Sequence, residues 1–248
     1  ALVIVGGGGA ELIDVVSVDG ATLTGVTVFA GNTNDLLSLP GGDNSADTIR
    51  LRSLPATASA TLSGNAGSDL FQLFDAGNTV DNILGPVIID GNDGNVIGNT
   101  DTLTIVDSGD LTGDLGVVIS AVSPGSSQDY SIEGINTATG SDVIFRNIDN
   151  LNYTGTAGAD QIDGRFESTS PAHDLSVVNL SGWTGADQFL LYTSDQVGGT
   201  GANNTPTGTP SGIANINLYG DAPGNPNGSD GNDTFGATPP IPFSGTGA

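Results

Sequence analysis

The stretch Gly64 to Phe71, GNAGSDLF, decides the reading, because it returns three more times in altered form. Gly155 to Ile162 is GTAGADQI, Gly182 to Phe189 is GWTGADQF, and Gly228 to Phe235 is GSDGNDTF. All four fit G-x-x-G-x-D-x-apolar. Three follow a short strand-like run: Thr61 to Ser63, Asn152 to Thr154 and Asn179 to Ser181. The fourth follows Asn217 to Gly220 after an insertion. Weaker copies keep only Asp-x-apolar, at Thr33 to Leu37, Gly42 to Ile49, Gly98 to Leu103 and Gly140 to Ile144; Gly9 to Ile13 carries Glu11 in the acidic place. The physical content is a strand, a glycine turn, an aspartate and another strand. The glycines permit positive φ in a tight turn. The apolar residue two places after the aspartate points into a core. The aspartate either bonds its own turn amides or faces a cation. Steps between successive aspartates are irregular, from 12 to 46 residues. Several lie near the roughly 20–30 residues of one circuit in a stacked repeat.

Outside the motif the chain also reads as β. Lys and Met are absent and Glu occurs three times, so strong helix formers are scarce. Short β-branched bursts recur at Leu2 to Val5, Ile13 to Val18, Val26 to Phe29, Val87 to Ile89, Leu103 to Val106, Val117 to Ile119, Ser176 to Leu180 and Ile213 to Leu218. Leu, Ile, Val and Phe make up 64 of 248 residues, above the roughly 20% below which a chain this acidic would be read as disordered. The expected fold is an all-β parallel solenoid, of β-helix or β-roll type, with Leu62, Phe71, Ile162, Leu180 and Phe189 inside. An antiparallel β-sandwich is the alternative. Residues 1–197 form the expected solenoid body. Residues 198–235 form a looser continuation with polar loops and the last copy. Residues 236–248 read as a Pro/Gly-rich tail or linker.

Charge removes several function classes. The net charge is -24, from 28 acidic residues, 25 of them Asp, against four Arg. A phosphate-binding nucleic-acid surface and an anionic membrane are both excluded as partners. No apolar run approaches a membrane span. With no Cys and no Lys there are no disulfides, thiolate metal sites, Schiff-base lysine or P-loop lysine. The chain begins at Ala1, which reads as a processed chain or part of a longer one.

At the four strong copies the chain resembles the hemolysin-type, or repeats-in-toxin, calcium-binding family, whose nonapeptide is G-G-x-G-x-D-x-apolar-x. The second position departs, being Asn65, Thr156, Trp183 and Ser229 rather than Gly, and the copies are single and widely spaced instead of tandem. The resemblance implies a secreted or cell-surface bacterial β-roll or β-helix protein. The Asp-rich turns themselves suit calcium, a hard cation that takes about six to eight oxygens. The candidate ligands are Asp69, Asp90, Asp93, Asp101, Asp160, Asp187, Asp230 and Asp233. Local clusters occur at Asp90 to Asn95 with Asp101, at Asp230, Asn232 and Asp233, and at Asp107, Asp110 and Asp114. A role in turns alone is the plainer alternative for each.

The chain is not expected to be an enzyme. His173 is a lone loop histidine, the four Arg suit ion pairs among so many acids, and Trp183 and Tyr153 suit packing better than sugar stacking. The expected function is a structural or adhesive extracellular module of a bacterial surface protein or filament, stabilised by Ca2+ and associating with copies of itself. The alternative is a β-helical domain that binds or degrades cell-surface polysaccharide. Self-association could use the apolar strand Ala1 to Val5, joined through Gly6 to Gly9, and the anchors Ile241 and Phe243. The plainer alternative makes that strand the first of its own domain.

Overall fold

The β-branched bursts become strands and the Gly- and Asp-rich segments become the turns between them. A computed structural model describes residues 1–20, 22–31, 44–91, 99–122, 129–135, 142–166, 175–193, 213, 215–220 and 233–237. Among them there are seventeen strands and no helix. In chain order the strands are β1 (Leu2–Val5), β2 (Leu12–Val15), β3 (Gly25–Phe29), β4 (Thr48–Leu51), β5 (Ser59–Ser63), β6 (Leu70–Leu73), β7 (Val87–Asp90), β8 (Thr102–Val106) and β9 (Leu115–Ala121). There follow β10 (Tyr130–Glu133), β11 (Val143–Arg146), β12 (Asn150–Thr154), β13 (Gln161–Phe166), β14 (Val177–Ser181), β15 (Gln188–Thr193), β16 (Asn215–Tyr219) and β17 (Thr234–Ala237).

They form two sheets. One has ten strands in the order β1-β3-β5-β7-β11-β10-β9-β13-β15-β17, the other seven in the order β16-β14-β12-β8-β6-β4-β2. From β1 to β8 and from β12 onward the chain therefore crosses from one sheet to the other at every turn. All pairings are parallel except the two made by β10. An antiparallel sandwich is not what forms. The ten-stranded sheet is mixed because β9, β10 and β11 fold back on one another as a meander. Three strands thus lie between β7 and β13, where the other sheet has only β12 between β8 and β14. At β9 a bulge at Gly116, with φ 114°, brings Val117 rather than Gly116 opposite Ile162.

The core lies between the sheets. Phe71, Ile162 and Phe189, two places after their aspartates, are fully buried, and so are Leu62 and Leu180 of the strands that precede the motif. In-register parallel pairing puts like above like: Ile49, Phe71, Leu103, Leu151 and Val178 follow one another across the seven-stranded sheet. Each buried Leu, Ile or Phe contributes about 1.5–3 kcal/mol. Tyr153 and Tyr130 are also core residues. The strand Leu2–Val5 is laid down in its own sheet, parallel to β3, and Gly6 continues that pairing by donating its N–H to the Phe29 carbonyl. β16 and β17 extend the same two sheets, so Gly236 and Ala237 finish a strand. His173, Ile241 and Phe243 lie outside the described residues.

The motif aspartates stack into two ladders. In the first, the backbone N–H of each acidic residue donates to the carboxylate of the next. Glu11 gives to Asp47 Oδ1 (2.7 Å), Asp47 to Asp69 Oδ1 (2.8 Å), Asp69 to Asp101 Oδ1 (2.7 Å) and Asp101 to Asp149 Oδ2 (2.8 Å). These residues end the turns that lead from the ten-stranded to the seven-stranded sheet. The second ladder runs from Asp114 to Asp160 Oδ1 (2.7 Å), Asp160 to Asp187 Oδ1 (2.9 Å) and Asp187 to Asp233 Oδ1 (3.1 Å). Its members end turns going the other way, from the seven-stranded to the ten-stranded sheet. The ladder therefore changes edge at the β9–β11 meander.

The second carboxylate oxygen faces its own turn. Asp160 Oδ2 accepts from the Thr156 N–H (2.8 Å) while Thr156 Oγ1 donates to Asp160 Oδ1 (2.7 Å). Oδ2 sits directly against the first motif glycine, at Gly155 for Asp160 and Gly182 for Asp187, and a Cβ there would overlap it. For Asp233 that glycine is Gly220, from before the insertion. Asn65 and Trp183, in the second motif position, have φ of 65° and 75°, the left-handed region where the resembled family carries Gly.

Two substitutions test the ladder. Asp160→Ala should lower stability by about 2–5 kcal/mol, because it leaves the buried N–H of Thr156 and the half-buried N–H of Asp114 unsatisfied at about 1–3 kcal/mol each. Gly182→Ala should cost about 1–3 kcal/mol by overpacking against Asp187. Asp19→Ala, at an exposed turn, should change stability by less than about 0.5 kcal/mol. Urea unfolding midpoints separate the three.

Candidate metal centre

The turn from β8 to β9, Asp107-Ser-Gly-Asp110-Leu-Thr-Gly-Asp114, gathers three acids. It is pinned locally: the Asp110 N–H donates to the Asp107 carbonyl (3.0 Å) and the Thr112 N–H to Asp110 Oδ1 (2.8 Å). It is also pinned on both sides. Gly109 donates to the Asn78 carbonyl (2.9 Å) in the β6–β7 turn, and the Asp110 carbonyl accepts from Ala157 (2.7 Å) in the β12–β13 turn. Asp107 Oδ1 accepts from the Val80 N–H (3.1 Å), while Asp114 starts the second ladder. The result brings one carboxylate oxygen from each of Asp107, Asp110 and Asp114 within 4.8 Å of the others. This is the one such group among the described residues, and it can hold a metal ion.

The electrostatics are severe. Burial, then the charges of Asp114, Asp81 and Asp110, push Asp107 up to about 7, against the single Val80 hydrogen bond. Burial, then Asp160, Asp110 and Asp81, push Asp114 up to about 7 as well, partly offset by its side-chain hydrogen bond with Asp107. Two carboxyl groups can share such a bond only when one carries the proton. Asp81 and Asp160 are raised too, chiefly by burial. Asp114 Oδ2 is buried without a hydrogen-bond partner. So is the hydroxyl of Tyr153 on β12, a residue only 1% exposed. Burial first, and then Asp114, Asp160 and Asp107, hold that phenol well above its ordinary range.

The residues expected from sequence to hold calcium fall in different places. Asp69, Asp101, Asp160, Asp187 and Asp233 are ladder rungs, their Oδ1 atoms occupied by backbone N–H groups of the preceding circuit. Asp90 pairs with Arg146 (2.8 Å) and accepts from Asn147 Nδ2 (2.7 Å). Asp93 and Asp230 lie outside the described residues. Of the three sequence clusters, the one at Asp107, Asp110 and Asp114 lies wholly within the described residues, and its carboxylates converge. Its i, i+3, i+7 spacing within one turn was the available signal; the placing of Tyr153 beside the turn, through the bond from the Asp107 N–H to the Thr154 carbonyl, had none. Asp149 and Asp114 also serve as rungs without the glycine motif. No protein-family model matches the chain, and no curated protein matches it.

The raised groups fix the sign of a pH effect. The folded state binds protons at Asp107 and Asp114 more tightly than the unfolded chain, whose carboxyls titrate near 3.8. Their contribution is fully present below about 4 and is lost as pH rises through about 7. Asp14, lowered by its Arg52 hydrogen bond, acts in the opposite sense but only below about 4. In chelator, the melting midpoint should fall from pH 5 to pH 8, and Asp107→Asn should flatten that slope. Scanning calorimetry across this range is the check; parallel slopes would contradict it.

Proposed function

We propose that this chain is a calcium-stabilised structural module of the bacterial exterior, a segment of a surface protein or filament built as a parallel β-solenoid. One observation carries the reading: the motif aspartates bind backbone rather than facing a cleft, so the most repeated acidic group of the sequence is committed to holding circuits together. The cations are committed too. Arg52 pairs with Asp14 (2.6 Å), Arg146 with Asp90 (2.8 Å) and Arg165 with Asp163 (3.4 Å), and Arg50 donates to Gln72 and lies over the Phe74 ring. A fold bound together by ladders of carboxylate–backbone hydrogen bonds, in a chain with no thiol and no lysine, suits a scaffold that must resist oxidation and trypsin-like cleavage. Oxygen-only donors make calcium the fitting ion. Association with further copies belongs to this reading, since Val3 and Leu12 are exposed at one end and Tyr219 and Phe235 at the other.

A second reading, a polysaccharide-binding domain, is favoured by the outer face of the seven-stranded sheet. Asn152, Asn179 and Asn217 align across β12, β14 and β16, each amide donating to the one before it (2.7 and 2.8 Å), and Thr104 continues the row. Such a flat polar strip matches the hydroxyls of an extended glycan.

Fractionation of the producing cell, with an antibody to this chain, tests the first reading. The chain should partition with the exterior and release no reducing ends from soluble polysaccharides. Cytoplasmic retention, or turnover of a polysaccharide, would overturn it. Retention on a polysaccharide column that is lost on Asn179→Ala, without loss of fold, would favour the second.

A further inference from the structure

We propose that Asp107, Asp110 and Asp114, with the Tyr153 hydroxyl, bind one hard divalent cation of calcium's size, and that this ion clasps the two ladders where they change edge. The inference deepens the calcium-stabilised reading above by giving the ion an address. No two of these carboxylate oxygens are farther apart than 4.8 Å, twice the calcium–oxygen distance of about 2.4 Å, so a small inward turn of the side chains lets all three touch one ion. Magnesium, at about 2.0–2.1 Å, would need the turn to contract.

An acidic turn alone would be a solvated loop. Here the Tyr153 hydroxyl is an independent sign. It lies on another strand, in the core, buried and with no hydrogen-bond partner, opposite Ile105 of β8 and next to Thr154, whose carbonyl accepts the Asp107 N–H (2.9 Å). Asp114 Oδ2, also buried, has no donor either. An oxygen-seeking cation, or a water bound to it, satisfies both atoms at once. The turn is held by Asn78 and Val80 on one side and by Ala157 on the other, so its carboxylates are largely placed before any ion arrives.

The position gives the ion a role. Asp107 is bonded back to the β6–β7 turn, which belongs to the half that carries the first ladder. Asp114 is bonded forward to Asp160, in the half that carries the second. The first ladder reaches Asp149 on one edge and the second starts at Asp114 on the other, so an ion held by Asp107 and Asp114 sits where the two meet.

Calcium titration of the chelator-treated full chain by calorimetry, repeated with terbium luminescence, tests this. Asp110→Asn keeps the acceptor for Thr112 and should weaken calcium binding at least tenfold with an unchanged circular dichroism spectrum. Tyr153→Phe should reduce both calcium affinity and tyrosine-sensitised terbium emission. Calcium should slow amide exchange first at Val80, Thr112 and Ala157. An unchanged affinity in Asp110→Asn, no calcium uptake at millimolar concentration, or protection that spares this turn would each overturn the site. An exterior chain that takes up no calcium overturns the site and leaves the structural module standing. Uptake here by a chain retained in the cytoplasm supports the site and sinks the proposed function.

Discussion

A carboxylate that accepts the backbone N–H of the preceding circuit is the interaction on which the rest of this molecule depends. It explains the residue type, since aspartate reaches from the end of a turn to a neighbour one strand spacing away, about 4.8 Å. It explains the first glycine, because the other oxygen lies where a Cβ would be. It explains why Glu is tolerated at position 11, where only the backbone N–H takes part. The same bond brings a cost. Asp47, Asp69, Asp101, Asp160 and Asp187 are all nearly inaccessible, and charges so stacked repel one another in a medium that screens poorly. Hydrogen bonds to charged groups, each contributing about 1.5–3 kcal/mol, offset this. Backbone N–H groups thereby do for these anions what lysines do elsewhere.

The change of edge follows from the meander. Up to β8 the aspartate comes after a strand of the ten-stranded sheet. The chain then lays three strands in that sheet before returning to the other one at β12. From Asp160 onward the glycine turn precedes the ten-stranded sheet instead. The two ladders share no rung, and the acidic turn that begins the second sits beside the buried phenol of β12. The concentration of raised carboxyl groups at Asp107 and Asp114 is therefore a product of topology.

Much of this was legible in the sequence, and the limits are physical. The G-x-x-G-x-D-x-apolar period placed Phe71, Ile162 and Phe189 inside, because the two-residue step after the aspartate fixes which face the side chain takes. The meander was not legible: Tyr130–Glu133 and Val143–Arg146 are as short and apolar as any other burst, and their direction is set by distant partners. The role of the aspartates was half legible. Their chemistry allows a turn, a cation or both, and the N–H that decides the matter comes from 22 to 48 residues away. Asp149 was hidden because Asn147, with φ of 52°, stands where a glycine was sought. Asp233 was paired with the wrong glycine, since an insertion separates it from Gly220.

The strand order also sets how the molecule answers a pulling force. β1 and β17 close opposite ends of the ten-stranded sheet, so tension applied between these two strands acts along the hydrogen bonds instead of across them. Bonds loaded in this way open in succession, one strand after the next, instead of shearing together. Each circuit that peels away releases a length of slack chain and leaves the next one intact. A molecule pulled in this way yields in small steps and dissipates work at each of them.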